Sequence, residues 1–345
     1  MIRKQRLGRT NLEVTRLGFG GIPIQRVSED EAIEVVKHVV QKGINFLDTA
    51  RSYTTSEERI GKALKQMDAQ VYISSKSPDR TAEGLLKHLH KSLELLQVEK
   101  IDIYNCHGVS SFKDYEKVTS PGGALEGLMK ARDQGLIDFP GITSHNLEVA
   151  EQAISDGHFD AILICHSFLE PKAEEKVIPM AIEKDMGITT MKNFSGGVIE
   201  DATLAMKYAF SCPEVVPIPG VESIEKVDQN WEVFTLPDYD MTEEEIARME
   251  AIKAEHKDSF CRRCDYCLPC SEGIYIQTML GIRSIIKRMG AAAFDREWIK
   301  AAIAKGKTCT ECGECMPRCP YELPIPELIK SNMEWVDSQL SQIEK

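Results

Sequence analysis

From residue 16 onward, short runs of apolar or β-branched residues alternate eight times with segments whose apolar residues recur at helical spacing, and this alternation narrows the available folds most. The strand-like runs are 16–20, 45–47, 71–75, 101–106, 137–143, 161–165, 188–191 and 215–218. The helical pattern is clearest at 29–41, where Ala32, Ile33, Val35, Val36, Val39 and Val40 share a side behind a capping Ser28. A strand followed by a crossover helix returns parallel to its predecessor, and eight such units close into a (β/α)8 TIM barrel. A polar hairpin at 3–15 precedes the first unit, and a longer loop, 108–123, follows the fourth strand. Barrels of about 250 residues fold as one unit, so the 345-residue chain has room for one further small domain. The expected division is 1–257 for the barrel and 258–345 for the second domain.

Three consecutive strand ends carry polar residues suited to chemistry. The second strand turns polar at Asp48 with Tyr53 on the following loop, the third ends in Lys76, and the fourth ends in His107. Each alone reads as a loop cap, an ion-pair partner or a packed histidine. Together, at matching positions, they form the constellation a barrel mouth assembles.

The order Asp48, Tyr53, Lys76, His107 resembles the catalytic tetrad of the aldo-keto reductases. The resemblance extends to LGRTNLEVTRLGFGG near the N-terminus, GITSHN after the fifth strand and PIPGVESIEKVDQN near the eighth, about three quarters of the chain. It implies a hairpin plugging the barrel bottom and a hydride exchanged between NAD(P) and a carbonyl or alcohol. Tyr53 would be the proton donor, and Lys76 would stabilise its phenolate. Asp48 would fix the Lys76 ammonium, and His107 would orient the carbonyl. Ser144 would contact the nicotinamide carboxamide, Ser195, Gly196 and Gly197 would lie near the pyrophosphate, and Gly220, Lys226 and Asn230 near the adenosine. His145, Leu163 and Met191 depart from the family's usual Asn, Gln and aromatic residue. Glu222 adds a negative charge beside Lys226, and the sequence leaves NAD and NADP both open.

Eight of the eleven cysteines fall in two runs after residue 260. Cys261, Cys264, Cys267 and Cys270 form C-x2-C-x2-C-x2-C, and Cys309, Cys312, Cys315 and Cys319 form C-x2-C-x2-C-x3-C before Pro320. Two four-cysteine zinc sites would use as many thiolates, but zinc ribbons collect their ligands as separated pairs. Three cysteines at successive two-residue gaps suit the corners of one 4Fe-4S cluster, and the fourth is expected to ligate the other cluster. The sequence thus calls for two 4Fe-4S clusters in a small, mainly α-helical ferredoxin-like domain.

The net charge of −12 argues against nucleic-acid or anionic-membrane partners. No apolar run approaches the length of a membrane span, and the polar start lacks a signal peptide's apolar core, so a cytoplasmic location is expected. The expected activity is that of an oxidoreductase on a small-molecule carbonyl or alcohol, with an electron-transfer protein as a further partner. The competing expectation is a redox-sensing or regulatory module that holds nucleotide without turnover.

Overall fold

The chain begins with a hairpin in which β1 (Lys4–Arg6) pairs antiparallel with β2 (Glu13–Thr15) across a 3-10 turn at Gly8–Thr10. The computed structural model describes residues 2–263 and 266–343, Arg288 without its side chain. It divides into two compact units, one of residues up to 195 with 199–242, the other of 196–198 and the residues from 243 onward.

In the first unit β3 (Phe19–Gly20), β4 (Phe46–Asp48), β5 (Tyr72–Ser77), β6 (Ile101–Cys106), β7 (Ile137–Ser144), β8 (Ala161–Cys165), β9 (Gly187–Met191) and β10 (Val216–Pro217) lie parallel in sequence order. The outermost two meet through a parallel bridge between Gly20 and Gly220. Gly18 N–H donates to the Pro217 carbonyl at 2.9 Å and Gly20 N–H to that of Pro219 at 3.0 Å, closing the (β/α)8 barrel. Glycine matters at this seam. A Cβ on Gly20 would sit 2.7 Å from the Ile218 carbonyl oxygen, and one on Gly18 would sit 2.8 Å from the Ile218 side chain.

Strand alternation divides the core into two layers. Phe46, Ile103, Ala161, Leu163, Val216 and Ile218 fill the barrel, joined by Leu7 and Val14 of the hairpin, which is the expected plug. Intervening residues such as Leu47, Tyr104 and Ile162 pack outward with Val36, Leu89 and Leu128 of the helices. Side chains of Ser28, Thr81, Asn146, Asp201 and Ser223 cap helices beginning at the next residue, fixing where each helix starts above or below the sheet.

Several elements differ from the sequence reading. The stretch expected to be a loop at 108–123 contains the helix Phe112–Thr119, with Ser111 accepting from Asp114 N–H and with Tyr115 and Val118 buried one turn apart. The stretch after β8 does not form one helix but a 3-10 turn, Pro171–Glu174, followed by the helix Val177–Glu183. Lys176 leaves helical geometry between them, and Pro179 sits in the new helix's first turn, where its missing N–H costs nothing. The first barrel strand has only two residues.

The second unit is helical, with Ile276–Leu280, Ile282–Met289, Glu297–Gly306 and the 19-residue Ile325–Ile343. Ile276, Met279, Ile282, Ile299, Ile329 and Val336 are central to its core, and six of the cysteines are among its apolar contacts. Asn332 fastens it, donating to the Met279 carbonyl at 2.8 Å and accepting from Arg283 Nε at 2.7 Å.

Gly20→Val should lower barrel stability by about 1–3 kcal/mol, the range for overpacking a close backbone contact. Urea denaturation followed by circular dichroism measures this; an unchanged midpoint would show that the seam accepts a side chain.

Candidate active site and cysteine cavities

Strand register brings the polar residues together on the inner face. Asp48 of β4 pairs with Ser74 of β5, and Lys76 of β5 pairs with Asn105 of β6. Lys76 Nζ donates to Asp48 Oδ2 at 2.6 Å and to the Thr49 carbonyl at 2.5 Å, with both charged side chains buried. Ser74 Oγ donates to the other carboxylate oxygen at 3.0 Å. Asn105 Nδ2 in turn donates to Ser74 Oγ at 3.0 Å and to the Ser75 carbonyl at 3.0 Å. Opposite Asn105 in the register stands Gly141, where a Cβ would lie 2.1 Å from the Asn105 carboxamide oxygen. The missing side chain on β7 thus makes room for the amide on β6.

Tyr53 is carried by a tight loop in which its N–H reaches the Ala50 carbonyl at 3.0 Å and its carbonyl accepts from Ser56 N–H at 2.8 Å. Buried Glu57 anchors the loop's far end by pairing with Arg51 and accepting from Ser75 Oγ at 2.7 Å. Lys76 Nζ lies 5.0 Å from the Tyr53 ring centroid. The His107 ring meets that of Tyr53 edge-on, 5.7 Å between centroids at 84°. Ser52 Oγ is 3.2 Å from His107 Nδ1, and Arg80 holds the His107 carbonyl at 2.8 Å.

The electrostatics follow from burial. Burial raises the Tyr53 phenol above its ordinary pKa, with Lys76 pulling it down and Asp48 pushing it up. Burial also raises the Asp48 carboxyl against the pull of Lys76. For Lys76 burial works downward, but the charges of Asp48 and Tyr53 and the hydrogen bond to Asp48 outweigh it and hold the ammonium above the usual lysine value. His107 is lowered to about 3 by burial and then by the charges of Lys76 and Arg80. The cluster therefore offers a protonated phenol beside a fixed ammonium and a neutral imidazole. Proton donation to an oxygen can use that arrangement.

Asp48, Tyr53, Lys76 and His107 are marked by their sequence pattern, whereas Ser74 and Asn105 are not. Alternation could have found them, since each precedes a site residue by two positions and so shares its face.

The expected nucleotide contacts are less uniform. Ser144 Oγ donates to the Asn146 carbonyl at 2.9 Å and accepts from Asn146 N–H at 3.0 Å, within its own turn. Ser195 is buried at φ 48°, its Oγ 2.8 Å from that of Ser167; Gly196 and Gly197 continue the positive φ run, and a Cβ on Gly197 would meet nothing. Gly220 serves the barrel seam. Lys226 is paired with Glu222 one turn earlier on the surface, and Asn230 is buried. Leu163 belongs to the inner core. Beyond the ends of β8 and β9, buried His166 Nδ1 and Asn193 Oδ1 have no hydrogen-bond partner. Such atoms mark a polar demand that a bound group could meet.

In the second unit the cysteines line two cavities. One is bordered by Cys261, Cys267 and Cys319. The other is bordered by Cys309, Cys312 and Cys315 together with Cys270. Cys264 lies outside the described residues. Each cavity is thus bordered by thiols from both sequence runs.

Comparisons with known proteins identify the family and the fold. The family model described as "Aldo/keto reductase family" matches residues 16–203, more than half of the chain. A second, described as "4Fe-4S dicluster domain", matches residues 260–324. L-Galactose dehydrogenase of Arabidopsis thaliana is 26% identical over 303 residues, covering 73% of this chain and 94% of that protein. A probable aldo-keto reductase of Glycine max is 26% identical over 294 residues, covering 66% and 83%. Among solved structures, an aldo-keto reductase from Bacillus halodurans in its holo form superposes with a TM-score of 0.63 at 22% identity, covering 73% of this chain and 96% of that one. One from Klebsiella pneumoniae in complex with NADPH gives 0.61 at 18%, covering 73% and 95%. Among the described residues no helix is long and apolar enough to cross a membrane.

The His107 shift has a measurable sign. Its folded pKa is depressed, so between 6.5 and about 3 the unfolded chain binds the extra proton. The stability contribution is complete above pH 6.5 and lost as pH falls toward 3. His107→Gln should therefore show a shallower loss of denaturation midpoint than the parent between pH 7 and 5. Parallel slopes would place the imidazole in a wetter setting.

Proposed function

The chain belongs to the aldo/keto reductase family and carries a 4Fe-4S dicluster domain C-terminal to its barrel in sequence, and from that premise we propose a nicotinamide-dependent oxidoreductase acting on a small carbonyl or alcohol, with the dicluster domain moving single electrons. The observation that carries the reading is the buried Lys76 ammonium held between Asp48 and Tyr53, with His107 edge-on to the phenol. The barrel is proposed to extend over 1–257 and the cluster domain over 258–345.

When bound, the nicotinamide supplies or accepts the hydride. Tyr53 keeps its proton at rest and delivers it to the carbonyl oxygen. Lys76 stabilises the phenolate left behind, an interaction strengthened by the dry surroundings. Asp48 and the Thr49 carbonyl hold the ammonium on the tyrosine's side, and Ser74 with Asn105 holds Asp48. His107, neutral at working pH, donates to or orients the same oxygen. For an alcohol substrate the proton moves back to Tyr53.

The dinucleotide fits the positive-φ turn at Ser195, Gly196 and Gly197, the orphaned polar atoms of His166 and Asn193, and Ser144, Gly220 and Asn230. Lys226, the cation expected at the adenosine end, is paired with Glu222, which weakens its pull on a 2′-phosphate. In the second unit, Cys261, Cys264, Cys267 and Cys319 are proposed to hold one 4Fe-4S cluster, and Cys309, Cys312, Cys315 and Cys270 the other. An electron-transfer protein is the proposed external partner.

Tyr53→Phe should remove most carbonyl-reducing activity, a fall in kcat of about 100-fold or more, with nucleotide affinity nearly unchanged because the hydroxyl acts on the transition state. Steady-state kinetics with nucleotide titration decides the matter, and wild-type turnover in the variant would remove Tyr53 from its role. Nucleotide binding by the parent chain with no turnover on any carbonyl or alcohol would favour the regulatory reading.

Cys319→Ala should damage the cluster of the first cysteine run and spare the three neighbours of Cys319 in sequence. Mössbauer and paramagnetic resonance spectra of the variant reveal which cluster is altered. Loss of only the Cys309 cluster would mean that each run closes on itself.

A further inference from the structure

We propose that the two cysteine cavities hold their clusters at unequal reduction potentials, with the one bordered by Arg262 and Arg263 the higher and the first to take an electron. The inference rests on the dicluster reading above and concerns the residues that surround the thiols. A cluster that accepts an electron gains one negative charge with no leaving group, so fixed positive charge in its lining favours the reduced form and fixed negative charge opposes it.

Among the described residues the linings differ in sign. Around Cys261, Cys267 and Cys319 stand Arg262, Arg263, Gln277 and Tyr321. The Arg262 guanidinium lies 4.3 Å from the Tyr321 ring centroid and donates to the Phe260 carbonyl at 3.0 Å, fixing its charge in place. Arg263 N–H donates to Cys261 Sγ at 3.4 Å, and a hydrogen bond to a ligating sulfur also stabilises the reduced state. Cys267 is buried, so water does not screen this cavity fully.

Around Cys270, Cys309, Cys312 and Cys315 the described lining carries the carboxylates Glu272 and Glu314 and the cation Arg318, and Lys305 outside it donates to the Glu272 carbonyl at 3.2 Å. Arg318 is turned toward main-chain oxygens, donating to the Glu314 carbonyl at 2.9 Å and the Pro269 carbonyl at 3.0 Å. Cys312 is exposed. Solvent dipoles at that edge favour reduction, but they screen only one side of the cavity and cannot match two partly buried guanidinium charges. The exposed cavity is then the lower-potential member, through which an outside one-electron carrier reaches the pair.

The test is an anaerobic redox titration of the full-length holoprotein with dithionite, followed by paramagnetic resonance, after iron analysis has established two clusters per chain. The expected result is two resolved one-electron steps. Arg262→Gln with Arg263→Gln should move the upper step to lower potential and leave the other in place, whereas Glu314→Gln should raise the lower step alone. Arg262→Lys, which keeps the charge, should hold the upper step and serves where the double variant fails to assemble. A single two-electron step in the parent, or arginine variants that shift the lower step or neither, would overturn the proposal while leaving the dicluster reading intact. Fewer than two clusters per chain would overturn both.

Discussion

The ion pair between Asp48 and Lys76, sealed inside the barrel mouth, is the interaction on which the site depends. Removing two charges from water costs several kcal/mol per ion, and attraction alone seldom offsets it. Here the remaining valences are met as well. Asp48 accepts from Ser74, while Lys76 donates to a carbonyl and faces Tyr53. The pair also fixes strand register, because a slip of one residue would turn Lys76 out of the barrel and leave Asp48 without its partner.

Much of this was legible in the sequence because β-strands obey a two-residue period and barrel chemistry gathers at strand ends. Asp48, Lys76 and His107 announce themselves as charged or titratable groups closing apolar runs. Ser74 and Asn105 carry no such signal, being common residues whose importance comes from neighbours on other strands. Gly141 is quieter still, since its contribution is a volume left for the Asn105 side chain. The helix Phe112–Thr119 hid in a stretch that reads as loop, although Ser111 and Asp114 are a start signal at the right spacing. For nucleotide binding the sequence named positions but not occupancies. That Ser144 is engaged in its own turn, or Lys226 by Glu222, depends on rotamers that no one-dimensional pattern fixes.

The cysteines show the converse. Their spacing was plain, and the structure adds which thiols face the same void. Cys270 stands with the distant run and Cys319 with the early one, because helices packed through Ile276, Met279 and Ile329 fold the intervening segment back on itself.

That arrangement has a topological consequence. Filled, each cavity would clamp the same stretch of chain shut at its two ends, so the spacer becomes a ring fastened by two inorganic rivets. Closing a loop once is entropically costly, and closing it a second time beside the first costs little more. The rivets would therefore set cooperatively. With iron lost at one, the other would still hold the ring closed, so the spacer would be released only when both are gone.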